Sequence, residues 1–435
     1  MGRTVCKNLA LGLVAAAILA AMSAMALTSR LNAHPDELDH VNAGRYFLTY
    51  WDFPAMDDPR LAHTFSNYGV TYLQQLDVVY FFAGKFARLI QPLTGQDYIA
   101  LRFFNVFLFA VLMALFFRLP DDRKVSFLPL FITPQVWYVF SYFNGDAFPL
   151  FLTFGMVYLV ARLNPPATAL GPPGRSPDTR RLLLLGALLG MVCISKQNYY
   201  VFAGFTLAFF GVCGLAAGNV KAAAKNAVVV FSLAVVLFAA RFGYNVYVNR
   251  TVRPEVPTQN AEKYAREDYK PSAQDAGTQF WGLRMRDQGL TYPQLFTIWT
   301  WHIWSFRTSF GVYDYMKIYA PYVYYRYIGY LLWTLMGALA VALVMRGGPG
   351  GSAAVGVFLL FAGLTVFQST WHSWTADFQA QGRYLFPIGA MAGMTLARFA
   401  PAVNPTLPIT APLAIAMTAL SFYSFIAVGL ANIAR

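Results

Sequence analysis

Charge and cysteine are both scarce in this sequence, and each scarcity excludes something. Only 12% of the 435 residues are Asp, Glu, Lys or Arg, against roughly 25% in soluble domains. A chain that is 57% hydrophobic, with a mean hydropathy of +0.45, cannot hide its apolar surface in a water-soluble core. Three cysteines (Cys6, Cys193, Cys213), none in a CxxC pair, give neither a disulfide framework nor a zinc site. Walker, HExxH, GxSxG and Rossmann signatures are also missing, which argues against ATP-driven transport, zinc proteolysis and dinucleotide chemistry. The formal charge of +13 would point to nucleic acid in a soluble chain. In a membrane chain it reflects loop topology and anionic lipid, so membrane lipid is the expected partner and nucleic acid is not.

What the chain has in abundance is long apolar runs. The first, Leu9 to Leu27, resembles a signal peptide, and MSAMA offers small residues for cleavage. It is longer than a signal core and many similar runs follow, so we read it as a retained span with Arg3 and Lys7 inside. Further runs near 98–118, 125–143, 147–163, 182–194, 199–217, 226–246, 321–345, 352–370, 384–400 and 407–431 bring the expectation to about eleven transmembrane helices. The stretch 69–93 carries Gln74, Gln75, Asp77, Lys85 and Arg88 and reads as an amphipathic, surface-lying helix. The aromatic segment 293–316 reads as an interfacial helix.

The positive-inside rule orients this threading. Starting inside, the inner connections hold 118–124 (RLPDDRK), the Pro/Gly linker 164–181, Lys221, Lys225, Arg346 and Arg398. Of 20 Asp and Glu, only Asp121, Asp122 and Asp178 fall inside, and all five histidines fall outside. Chemistry is therefore expected on the outer face. The chain divides into an N-terminal transmembrane half (1–246) with a first outer loop (30–97), a large outer loop or cap (247–320), and C-terminal transmembrane helices (321–435). The polar part of the cap has few apolar residues and is expected to be ordered by docking rather than by a core of its own.

The sharpest constellation is His34-Pro35-Asp36-Glu37-Leu38-Asp39-His40. Proline suits a first helical position and acids suit a first turn, so a helix is expected to start here, with Asp36 and His40 on one face. That pair suits a divalent metal, or a general base beside a histidine; a capped, solvated helix start is the plainer reading.

An acidic pair in the first outer loop of a many-span protein resembles the GT-C superfamily of membrane glycosyltransferases. Four further segments are similar to a bacterial GT-C-like family: Phe143-Asn144-Gly145-Asp146-Ala147, Ser195-Lys196-Gln197-Asn198-Tyr199, Gln279-Phe280-Trp281-Gly282 and Gln381-Gly382-Arg383-Tyr384-Leu385-Phe386-Pro387. The likeness runs from 34 to 387. It implies an all-α, GT-C-like bundle with helices in its outer loops, placed in a bacterial inner membrane. It also implies transfer of a monosaccharide from a polyprenyl-phosphate carrier to a glycan or lipid-linked acceptor.

Asp36 or Glu37 would be the base on the acceptor hydroxyl or act through a metal such as Mg or Mn, with Asp36 and His40 as ligands. Asp146 would be a second acid of the site, or simply a loop aspartate ending a helix in a turn. Lys196 and Arg383, each the lone cation of its outer connection, would hold the donor phosphate, or snorkel to headgroups. His40, Asn198, Trp281, His302 and Tyr384 would line the substrate. The aromatic cluster of Trp281, Trp299, Trp301, His302 and Trp304 could stack on sugar faces, but such clusters are more often membrane-belt anchors. Two other classes compete with an enzyme: a lipid-linked glycan flippase or transporter, which calls for ionisable groups within spans, and a non-catalytic subunit of a polysaccharide assembly complex.

Overall fold

The computed structural model describes residues 2–162, 179–274 and 283–435. Most of the expected Pro/Gly linker, and Trp281 with the QFWG segment, lie outside those residues. The described chain is nearly all helix. In order it runs α1 (Gly2–Thr28), α2 (Glu37–Thr49), α3 (Val79–Thr94), α4 (Asp97–Phe117), α5 (Leu128–Phe131), α6 (Pro134–Ser141), α7 (Ala147–Arg162), α8 (Thr179–Cys193), α9 (Tyr200–Ala216) and α10 (Val220–Asn249). After α11 (Val256–Tyr264), α12 (Gln294–Thr297) and α13 (Trp301–Ser309) comes an antiparallel pair of two-residue strands, β1 (Val312–Tyr313) and β2 (Ile318–Tyr319). The chain finishes with α14 (Tyr322–Arg346), α15 (Gly348–Thr375), α16 (Phe386–Arg398), α17 (Ala400–Val403) and α18 (Leu407–Phe422), which continues as a π-helical stretch, Tyr423–Leu430.

Seven of these segments are long and apolar enough to cross a membrane: α1, α4, α9, α10, α14, α15 and the run from α17 through Leu430. Their outward faces carry Leu, Val and Ile side chains left exposed in the free molecule, such as Val228, Val235, Leu359 and Ile415, which is the composition lipid contact requires. This is an integral membrane protein. The other expected spans are shorter or broken. Pro134, which fits only a first helical turn, divides 125–143 into a 3₁₀ turn, α5 and α6. Helices α7, α8 and α16 have 16, 15 and 13 residues.

The connections sort to two ends of the bundle. At one end Lys124 donates to Asn8 at 2.7 Å, Arg123 to the Ala397 carbonyl at 2.7 Å, and Arg162 to the Arg118 carbonyl at 3.3 Å. At the other end Arg30 N–H donates to Ala434, Val78 N–H to Ile194, and Tyr315 to Asn32. The 118–124 connection thus lies with Asn8, Arg162 and Ala397 at one end.

Helix α3 is amphipathic, as expected of 69–93. Val79, Tyr80, Ala83, Gly84 and Ala87 are buried towards α2 and α4, and Phe82, Leu89 and Leu93 are exposed. The described polar part of the 247–320 stretch docks on the 51–71 region. Met56 N–H donates to Asn249 Oδ1 at 2.8 Å, Tyr264 stacks on Phe65 at 4.2 Å, and Arg266 N–H donates to Asn67. The single interfacial helix expected over 293–316 is instead two short helices and a strand. Thr300, left-handed at φ 48°, breaks it, and Met285, Leu295 and Trp301 pack with Ala380 in a small separate core.

Candidate functional site at one end of the bundle

A local backbone feature separates the two acids that the sequence left paired. Helix α2 begins at Glu37, so Pro35 is not its first residue, and Asp36 caps it in the left-handed region at φ 58°, ψ 9°. Asp is one of the few non-glycine types that visit this region, at a cost of about 1–3 kcal/mol. The twist sends the neighbouring side chains apart. Glu37 turns into the bundle, fully buried, where Arg102 of α4 grips both its oxygens at 2.6 and 2.8 Å. Arg102 also donates to the Ala26, Ser29 and Arg30 carbonyls. Glu37 thus ties α1, α2 and α4 together, with both its oxygens taken up by Arg102.

Asp36 turns the other way, to Arg383. Its Oδ2 accepts from Arg383 Nη2 at 2.8 Å, with the carboxylate 37% exposed and the arginine 5%. Burial pushes the Asp36 carboxyl up, but the Arg383 charge and hydrogen bond overcome it and hold the group below the usual carboxylate range. The next acid, Asp39, has no such partner. Burial and the neighbouring Asp36 push it up to about 6.

Arg383 owes its position to the turn Gly382–Leu385. Gly382 lies hard against α13: its N–H donates to Thr308 Oγ1 at 2.7 Å, and a Cβ there would collide with Ser309. Helix α13 is therefore the brace of the QGRY turn. The guanidinium reaches the Tyr142 and Tyr384 hydroxyls only at 3.4 Å, and its Nε has no hydrogen-bond partner.

Asp146 is set by FNGD. Asn144 Oδ1 accepts from the Asp146 and Ala147 N–H groups, and its amide donates to the Val139 and Tyr142 carbonyls, an Asx turn that starts α7. So the turn reading of FNGD is correct, and it also delivers a fully buried carboxylate to the site. Asp146 Oδ1 accepts from Lys196 Nζ, while Oδ2 lies 3.8 Å from Arg383 Nε without a hydrogen bond. Burial opposes ionisation of Asp146, but Lys196 and Arg383 prevail and its carboxyl stays low. Lys196 and Arg383 both lie over the Tyr384 ring, at 5.6 and 5.3 Å, and the Tyr384 hydroxyl donates to Gln379.

His40 completes the cluster. Its ring stacks on Tyr72 at 4.2 Å, and Nδ1 is 2.8 Å from the Tyr80 hydroxyl. Burial lowers it to about 3, so the imidazole is neutral. Of the pair expected to hold a metal, Asp36 is engaged by Arg383 and His40 Nδ1 by Tyr80.

Asp36, His40, Asp146, Lys196, Arg383 and Tyr384, drawn from four sequence segments, thus meet in one place. Asn198 lies two residues beyond Lys196, with both amide atoms buried and unpartnered. His302 does not join them: it is exposed on α13 beside Phe296. Trp301 is a core residue, donating to Ser373 at 3.0 Å. Sequence reasoning missed Tyr72, Tyr80 and Tyr142. The unexplained arginine in the apolar run of α4 was the signal that could have claimed Glu37, since an ionisable group in a span needs a partner. No family model, no curated protein and no solved structure matches the chain.

Proposed function

We propose that this protein is a GT-C-like membrane glycosyltransferase that moves a monosaccharide from a polyprenyl-phosphate carrier to a glycan or lipid-linked acceptor. The observation that carries the reading is the half-buried carboxylate of Asp36 against the buried guanidinium of Arg383, with Lys196 alongside on Asp146. A base for a hydroxyl and two cations for a phosphate are what displacement at an anomeric carbon needs. They sit just beyond α1 and just before α16, the depth at which a lipid phosphate would enter. The bundle comprises about eleven helices, counting α5–α6, α7, α8 and α16. The basic connections face the cytoplasm, and the site faces the outside of a bacterial inner membrane.

In this mechanism Asp36 takes the acceptor hydroxyl proton as that oxygen bonds to the anomeric carbon from the face opposite the carrier. The bond from that carbon to the phosphate oxygen breaks, inverting the configuration. The electron pair leaves with the polyprenyl phosphate, whose charge Arg383 and Lys196 stabilise. Asp146 acts through Lys196, holding its ammonium in place. Asn198 and Tyr384 line the sugar.

The test is binding of a short-chain polyprenyl phosphate against the matching polyprenol. Wild type should prefer the phosphate. Arg383→Ala should lose roughly 10- to 150-fold, as expected for a charge-assisted hydrogen bond of ~1.5–3 kcal/mol, with Arg383→Lys in between. Equal binding by all three would reject the reading.

One observation favours a transporter instead. Arg241 is buried within α10, with Nε and Nη1 unpartnered, and transporters use ionisable groups within spans. Translocation of a lipid-linked glycan by Asp36→Asn protein in vesicles, with no transfer by the wild type, would favour it.

A further inference from the structure

The hydrogen-bond accounting around His40 fixes where its proton sits. Tyr80 is fully buried, and His40 Nδ1 is the sole partner of its hydroxyl among the described residues. A buried hydroxyl that only accepted would leave its O–H unsatisfied, at about 1–3 kcal/mol, so Tyr80 donates and Nδ1 accepts. The remaining ring proton is then on Nε2. That nitrogen has no hydrogen-bond partner among the described residues, although the side chain is 97% buried by a 3% exposure.

A half-turn of the ring would put Cδ2 in the place of Nδ1 and leave the Tyr80 hydroxyl without its acceptor; the ring is stacked on Tyr72 at 4.2 Å and lies close to Gly145, where a Cβ would stand 3.2 Å from the Tyr80 hydroxyl and 3.7 Å from His40 Cε1. His40 N–H also donates to the Asp36 carbonyl at 3.2 Å, which ties the residue to the Arg383-paired acid. Gly145 ties it to Asp146 and hence to Lys196. The charges of both ion pairs, Asp36 with Arg383 and Asp146 with Lys196, act on the imidazole.

We propose that Tyr80 locks His40 as the neutral, Nε2-protonated tautomer, and that this N–H is the third donor, beside Arg383 and Lys196, for an oxygen of the lipid-carried phosphate. This rests on the phosphate reading of the site. A neutral donor suits that place, because the cluster already balances two carboxylates with two cations. A hydrogen bond from His40 adds grip and direction without adding charge. A proton on Nε2 also bars that nitrogen from ligating a metal.

The experiment is ¹⁵N NMR of ring-labelled histidines in the purified full-length protein, with His40 assigned by its loss in His40→Gln. Short-chain polyprenyl phosphate serves as the probe. Nε2 should be protonated and Nδ1 unprotonated, and adding the probe should move the Nε2 resonance. Tyr80→Phe should release the lock, populate the Nδ1–H form and weaken probe binding by roughly 3- to 10-fold, the scale of one neutral hydrogen bond. His40→Ala should weaken it as much, and His40→Gln, which keeps an N–H donor, should recover part of the loss.

A protonated Nδ1 in the wild type overturns the proposal, as does an Nε2 resonance that ignores the probe. If Arg383→Ala loses the probe while His40→Ala and Tyr80→Phe bind normally, the phosphate reading stands and the His40 role falls. If Arg383→Ala also binds normally, the phosphate reading itself fails.

Discussion

Asp36 and Arg383 are 347 positions apart in sequence and 2.8 Å apart in space. Asp36 holds Nη2 in the shortest hydrogen bond the arginine makes among the described residues, and a phosphate that takes that donor displaces the carboxylate. Displacement would do two things at once: fill the guanidinium with the substrate and free the base. Removing the charge should therefore separate binding from chemistry. Asp36→Asn should bind polyprenyl phosphate roughly 3- to 30-fold more tightly while transfer falls by about 10²-fold or more. Equilibrium binding and turnover on the same preparation check this, and weaker binding by the variant would contradict it.

The pH dependence of donor binding should report Asp39. Its carboxyl is pushed up to about 6, first by burial and then by Asp36, so it is ionised above that pH and neutral below. An ionised Asp39 adds a negative charge beside an anionic substrate. Donor affinity should consequently rise as the pH falls from 7.5 to 5, and Asp39→Asn should flatten the curve at the tighter level. Asp36, held below the usual carboxylate range, remains ionised throughout this window. A wild-type curve flat between pH 5 and 7.5 would contradict the assignment.

Glu37 should behave as a structural residue. Removing one partner of a buried ion pair leaves the other charged and unpaired, typically at a cost of 3–5 kcal/mol. Glu37→Gln and Arg102→Met should lower the apparent unfolding temperature and the yield of folded protein, with the surviving molecules keeping near-normal specific activity. Normal stability with lost turnover would return Glu37 to the list of bases.

How far the sequence could be read depended on the range of the interaction. Apolar runs are local, so the long helices stood out. Where proline or a short hydrophobic stretch interrupted the pattern, as at Pro134, a run that looked like one span proved to be two short helices. The cluster's charged members were legible because an acid or a lone cation in an apolar connection has few reasons to be there. What could not be read was direction. One left-handed residue sends Asp36 and Glu37 to opposite neighbours, and no spacing rule announces it. The tyrosines around His40 come from α3 and the turn before it, far along the chain, and carry no charge to mark them.

Sidedness gives a prediction independent of chemistry. In a background with the three native cysteines replaced by alanine, Asp58→Cys and Thr258→Cys should react in intact cells with a membrane-impermeant thiol reagent. Lys221→Cys, among the basic connections, should react only after permeabilisation. The reverse pattern would turn the site to the cytoplasm.

The most direct measurement is sugar transfer by the purified protein from a panel of radiolabelled polyprenyl-phosphate monosaccharides to lipid-linked and free glycan acceptors. The account predicts label in an acceptor for at least one donor, with inverted anomeric configuration, release of one polyprenyl phosphate per sugar moved, and loss of the signal in Asp36→Asn. Transfer that survives undiminished in Asp36→Asn, or no transfer from any donor by protein that binds the carrier phosphate through Arg383, would contradict it.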